Sequence, residues 1–116
     1  MATPNDSGHI LEQLCTVIAE RKKSDPDSSY VASLHARGLN KILEKIGEEA
    51  TETILAARDS EQSGDSADLV GEVADLWFHS LVMLAYFDRD GGDILAELAR
   101  RSGLSGLDEK ANRTTP

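Results

Sequence analysis

From Leu69 to Phe87 the chain reads LVGEVADLWFHSLVMLAYF. Apolar residues occur nearly all round a helix drawn through this stretch, and such a helix belongs in an interior. Its only formal charges are Glu72 and Asp75, three residues apart and therefore on one face. His79 follows one turn later on that same face. Carboxylates are almost never fully buried unless they are paired or bound to a metal. The stripe therefore faces either water in a cleft or a cation.

Working outward, the pattern predicts an all-α fold: a bundle of four main helices plus short ones. This apolar helix spans about 66–87. Aromatics make up 4% of the chain and β-branched alternation is missing, which argues against strands. A first helix is predicted from about Ser7 to Lys23, with Ile10, Leu11, Leu14, Val17 and Ile18 recurring at helical spacing. Asp25-Pro26 is expected to stop it, because proline disfavours helix in the residue before it. A short helix follows from Ser29 to Arg37, broken by Gly38. The next runs from about Asn40 to Arg58, with Leu39, Ile42, Leu43, Ile46, Ala50, Ile54 and Ala57 on one face. Gly47 inside it costs ~1 kcal/mol relative to alanine, unless another helix or a ligand comes close there. Asp59 to Asp65 reads as a polar loop, and a last helix is expected from Asp93 to Arg101, after a Gly91-Gly92 break, with one further turn in the tail.

On a 100°-per-residue wheel Glu49 lies ~80° from the centre of the apolar stripe, Glu48 points away from it, and Glu52 lies between the two. This helix offers Glu49-x-x-Glu52 and the apolar helix offers Glu72-x-x-Asp75. A short loop lets them pack antiparallel, so four carboxylates converge from two sides. One such pair at ~4 Å repels by roughly 4 kcal/mol at an effective dielectric of 20. A hard divalent cation reverses the sign, and an oxygen-only donor set favours Mg²⁺ or Mn²⁺. The competing reading is neutralisation by Lys41, Lys45 and Arg37.

The 116 residues suit one domain, with about 1–8 and 114–116 expected to be flexible. A net charge of −9 and a pI of about 4.7 make nucleic acid and anionic membranes poor partners. A polyanionic small-molecule ligand would need a cation between it and the protein. Cys15 is the sole cysteine, so there is neither an intrachain disulfide nor a zinc spacing, as suits a reducing cytoplasm. The N-terminus has no signal-like apolar segment, and Glu72 and Asp75 interrupt the longest apolar run, so no membrane span is expected.

Three segments carry a resemblance to a known family: SYVASLHARGLNKILEKIGEEATE (29–52), EVADLWFH (72–79) and GLSGLDEKANR (103–113). They resemble the phosphoribosyl-ATP pyrophosphohydrolases of histidine biosynthesis, within the wider MazG-like all-α pyrophosphohydrolases, over about Leu11 to Arg113. The acidic pattern belongs to the wider group; the Ser-Tyr-x-Ala-Ser-Leu flank and the Glu-Lys-Ala-x-Arg ending narrow it. His35 stands where that family carries an apolar residue. The resemblance implies a cytoplasmic homodimer and Mg²⁺-assisted hydrolysis of phosphoribosyl-ATP to phosphoribosyl-AMP and diphosphate. It implies metal ligation by Glu49, Glu52, Glu72 and Asp75, with Glu48 in a water-orienting role. A cyclohydrolase domain, often fused to this activity, is expected on a separate protein.

In that chemistry water attacks a phosphorus and pyrophosphate leaves. Metal ions neutralise charge, position the phosphates and make a water easier to deprotonate. Glu48 or Glu49 could orient or deprotonate that water. Arg37, Lys41, Lys45, Lys110 and Arg113 are candidates for phosphate oxygens, the last two also from a partner subunit. His79 is open to three readings: a hydrogen-bonded core histidine, a partner of Asp75, or a phosphate contact. Trp77 and Tyr86 are expected in the core or a dimer interface, and Tyr30 in the core or against a base or ribose. A house-cleaning enzyme for dCTP, dUTP or aberrant nucleotides would share the metal site and differ in its base pocket. A di-iron bundle needs Glu-x-x-His from two helices, whereas Asp75 follows Glu72 at that spacing. A non-enzymatic helical interaction module is the remaining alternative; it predicts no effect of divalent metal on thermal stability.

Overall fold

The structure, a computed structural model, describes residues 8–102. Five helices account for nearly all of them, with no strand among the described residues: α1 (Gly8–Arg21), α2 (Tyr30–Arg37), α3 (Leu39–Ser63), α4 (Ala67–Tyr86) and α5 (Gly91–Ser102). The all-α expectation holds. The expectations for the first seven residues, for the tail turn, and for Lys110 and Arg113 lie outside the described residues.

The core forms where α1, α2, the first half of α3 and the second half of α4 meet. Ile18, Leu34 and Ile42 are fully buried there, joined by Val31, Leu81, Val82 and Ala85. Leu11, Leu14, Cys15 and Ile46 pack against them. The buried stripe on α1 is narrower than its apolar pattern, since Ile10 and Val17 are exposed. On α3, Leu43, Ile54 and Ala57 also face outward, so burial covers only the first half of that helix.

Local chemistry sets the joints. Helix α1 ends at Arg21, before Pro26, and its last turn tightens through Lys23 N–H to Glu20 and Ser24 N–H to Arg21. Ser29 caps α2: its side chain accepts from the Ala32 N–H at 3.2 Å, an arrangement worth ~1 kcal/mol over alanine. Gly38, at φ 98°, turns the chain from α2 into α3, a conformation that a side chain would strain. Helix α3 continues through Asp59–Ser63, where the polar composition suggested a loop; nothing breaks a helix there until Gly64, which closes it in the left-handed region at φ 77°. The α3–α4 connection is thus three residues, 64–66, rather than seven. Helix α5 begins at Gly91, not Asp93. Asp90 accepts from the Gly92 N–H, while Asp93 reaches back to the Asp90 N–H, a reciprocal cap. Gly91 also lets α5 approach α1, because a Cβ there would meet Cys15 Sγ at 3.0 Å.

The α3–α4 hairpin makes the largest contact in the fold and runs on past the core. Its outer part exposes Ile54, Leu55 and Val70, and Trp77 is 62% exposed. Helix α4 is long and apolar enough to cross a membrane by length and composition, yet it packs along α3 and carries three carboxylates, Asp68, Glu72 and Asp75. Of the two places expected for Trp77, a core or a dimer interface, the core is set aside, and the all-round apolar surface of α4 is only partly covered by the described residues. Gly47 faces open space, so none of the described helices approaches it.

Candidate active site

The antiparallel hairpin brings the middle of α3 against the first half of α4. Ligand atoms of Glu49, Glu72 and Asp75 all lie within 4.8 Å of one another. Glu49 is buried, at 7% exposure; Glu72 is half-buried and Asp75 is open to solvent. The cluster is therefore a recess with one open side. Glu52, one turn beyond Glu49 and exposed, reaches the Glu72 carboxyl. Three of the four carboxylates singled out from the sequence thus meet in one cluster, with Glu52 at its edge beside Glu72.

The charges in this recess are poorly satisfied. Glu72 Oε2 is shut off from solvent and has no hydrogen-bond partner among the described residues. Facing that carboxyl is Glu52, a fellow acceptor unless one of the two carries a proton. The Glu52 contact, then burial, then repulsion from Glu52, Asp75 and Glu49 push the Glu72 pKa up. Burial raises Glu49 as well, reinforced by Glu52 and Asp75 and opposed by His79. Among the described ion pairs, the α3 lysines turn elsewhere: Lys41 to Glu44 at 3.5 Å and Lys45 to Glu48 at 3.2 Å. The basic group that meets the cluster is the His79 ring, whose Nδ1 lies 3.4 Å from Glu49 Oε1. Neither lysine forms an ion pair with the cluster among the described residues, although Lys45 lies within electrostatic reach of Glu49. A set of oxygen donors, one of them buried and unsatisfied, fits a hard divalent cation.

Glu48 is exposed and held by Lys45, matching its wheel position away from the stripe. That contact raises the Lys45 pKa, so the ammonium stays charged. Lys41, Lys45, Glu49 and Glu52 step along one side of α3 at spacings of three and four residues. Lys45 also lies close enough to Tyr30 to oppose the rise in its pKa, which burial causes and Glu49, Glu48 and Asp75 reinforce. Arg37, in the last turn of α2, is exposed.

His79 is 6% exposed, with Nδ1 at 3.0 Å from the Asp75 carbonyl and Nε2 at 2.7 Å from the Tyr30 hydroxyl. It is thus a hydrogen-bonded core histidine that also touches the acidic cluster. The Tyr30–His79 link escapes sequence reasoning because it spans 49 residues and joins two helices. The one available signal is that His79 shares a face with Glu72 and Asp75.

A family model described as phosphoribosyl-ATP pyrophosphohydrolase matches residues 11–102, which include every residue of this recess.

Proposed function

The chain belongs to the phosphoribosyl-ATP pyrophosphohydrolase family, and from that premise we propose that Glu49, Glu52, Glu72 and Asp75 hold Mg²⁺, or Mn²⁺, for its hydrolysis. The family is a hydrolase of histidine biosynthesis, acting on phosphoribosyl-ATP. The observation that carries the metal reading is the meeting of Glu49, Glu72 and Asp75 atoms within 4.8 Å, beside a buried Glu72 oxygen that has no donor among the described residues. When bound, the ion supplies charge neutralisation and orientation of the phosphates, and makes an attacking water easier to deprotonate.

The chain's own residues do the rest. An anionic protein, at net charge −9, must meet a substrate that is itself a polyanion. Lys41, Lys45 and Arg37 are proposed to receive phosphate oxygens beside the recess, with Lys110 and Arg113 as further candidates. Glu48, exposed and steadied by Lys45, is proposed to orient the attacking water or accept its proton; Glu49 is the other candidate base. The products are phosphoribosyl-AMP and diphosphate.

The test is diphosphate release from phosphoribosyl-ATP, dCTP and dUTP, with Mg²⁺ and with excess EDTA. The expected result is turnover of phosphoribosyl-ATP far above either free nucleotide, abolished by EDTA and restored by Mg²⁺. Preference for dCTP or dUTP would move the chain to the house-cleaning reading, and EDTA-insensitive turnover would remove the metal.

We further propose a homodimer acting in the cytoplasm. Val70 and Trp77 are seven residues apart on α4 and both exposed; Leu43, Gly47, Ala50 and Ile54 form a second stripe on α3, with Leu43 and Ile54 exposed. Large apolar side chains aligned this way mark an interface, and a second copy offers a matching surface with two-fold symmetry. Sedimentation equilibrium should give twice the 12.5 kDa chain mass at micromolar concentration; a monomer at all concentrations would refute this.

A further inference from the structure

We infer that Tyr30 and His79 form a positioning pair that holds Glu49 ready for the cation; this rests on the metal reading above and extends it to residues that ligate nothing. Three helices contribute. Tyr30 is the first residue of α2, fixed there by the Ser29 cap, and its ring stacks on Phe78 with centroids 6.2 Å apart. Its hydroxyl lies 2.7 Å from His79 Nε2 on α4. The other ring nitrogen, Nδ1, lies 3.0 Å from the Asp75 carbonyl and 3.4 Å from Glu49 Oε1 on α3.

The direction of these contacts follows from what each group can do. The Asp75 carbonyl only accepts, so Nδ1 carries a proton. In the neutral ring Nε2 then accepts, and the Tyr30 O–H donates to it. The phenol thereby selects the tautomer whose Nδ1–H is donated to the Asp75 carbonyl, with Glu49 Oε1 lying beside that same N–H at 3.4 Å. Phe78 meets the His79 ring edge-on at 5.2 Å and limits its rotation. Glu49 is the most buried of the clustered carboxylates, and Glu52 and Asp75 repel it. Without an anchor at its back, it would swing away from its like-charged neighbours. The positive edge of the His79 ring, with Nδ1–H held by the Asp75 carbonyl and 3.4 Å from Glu49 Oε1, supplies that anchor without adding a ligand. Carboxylates that bind metals are commonly held by such partners, whose loss costs about 10–100-fold in metal affinity or activity.

The experiment measures Mn²⁺ binding to the full chain by the electron paramagnetic resonance signal of the free ion, for wild type, Tyr30→Phe, His79→Asn and His79→Leu. Circular dichroism verifies that each variant is folded. Tyr30→Phe, a change at a half-exposed ring, should weaken Mn²⁺ binding by about tenfold. It should also raise the Mg²⁺ concentration for half-maximal turnover in parallel. The KM for phosphoribosyl-ATP at saturating Mg²⁺ should stay within about twofold of wild type, since the pair acts only through Glu49. His79→Asn keeps an N–H donor near the Nδ1 position and should bind Mn²⁺ more tightly than His79→Leu. Unchanged Mn²⁺ affinity in Tyr30→Phe, or equal losses in both His79 variants, would overturn the pair while leaving the metal site standing. Absence of Mn²⁺ binding by wild type would overturn the site itself.

Discussion

Glu49→Gln is expected to lower kcat/KM for phosphoribosyl-ATP by two to three orders of magnitude while leaving the helical circular dichroism spectrum unchanged. The side chain keeps its shape, and its amide oxygen still faces His79, so the fold has no reason to change. What is lost is one formal charge at the most buried of the clustered carboxylates. Metal-mediated charge stabilisation is worth several kcal/mol in a transition state, and ~3–4 kcal/mol corresponds to this range of rate. Activity within threefold of wild type would remove Glu49 from the proposed ligand set.

The same substitution should have the opposite effect on stability without divalent ions. Burial, with repulsion from Glu52 and Asp75, raises the Glu49 pKa in the folded chain above its usual 4.5. Over the interval from there to the raised value, the folded state binds more protons than the unfolded state. Stability therefore falls as pH rises through that window and levels off above it. Glu49→Gln removes this contribution, so thermal melts in EDTA should show a shallower decline between pH 4.5 and 8. Some decline should remain, because Glu72 is raised as well. A variant that melts lower than wild type at pH 8 and equal to it at pH 4.5 would contradict the repulsion argument. Such a trade, stability given up for a charged site, is common where function needs strained groups.

Ile42→Ala is the second large effect, and it falls on folding rather than chemistry. Ile42 is 0% exposed and sits in the cluster with Ile18, Leu34 and Leu81, at the junction of four helices. Removing its outer carbons forfeits transfer energy and leaves a cavity, at a cost of ~2–5 kcal/mol. For a domain stable by ~5–15 kcal/mol this is a large fraction. A loss of ~3 kcal/mol lowers Tm by roughly 12 °C in a chain of this size. Leu43→Ala, one residue on but exposed, should cost far less within a single chain. Urea denaturation of the two variants makes the comparison; a cost below ~1 kcal/mol for Ile42→Ala would mean the core is not where the four helices meet.

The α4 stretch shows how much of the site was legible. Two charges three apart in an otherwise apolar helix marked both the helix and its special face, and Glu49-x-x-Glu52 on the preceding helix supplied the matching face. Periodicity carries such information because i, i+3 neighbours are set by backbone geometry alone. Helix ends were less legible. Asp59–Ser63 looked like a loop because its residues are polar, but polarity reports exposure rather than conformation, and the helix ends only where Gly64 takes a left-handed φ. Ile54 looked like part of a buried stripe, and Trp77 was left between core and interface, because hydrophobicity reports a need for cover without saying which chain provides it. The Tyr30–His79 contact depends on how α2 packs across α4, which no local pattern encodes.

A crystal of the wild-type chain grown with Mn²⁺, with anomalous data collected near the manganese edge, tests most directly whether the hairpin carboxylates hold a cation. The expected map has a peak between α3 and α4 within coordination distance of Glu49, Glu72 and Asp75 oxygens. A recess without a peak at full manganese saturation, with Glu49 and Glu72 hydrogen-bonded to each other through a shared proton, would contradict it.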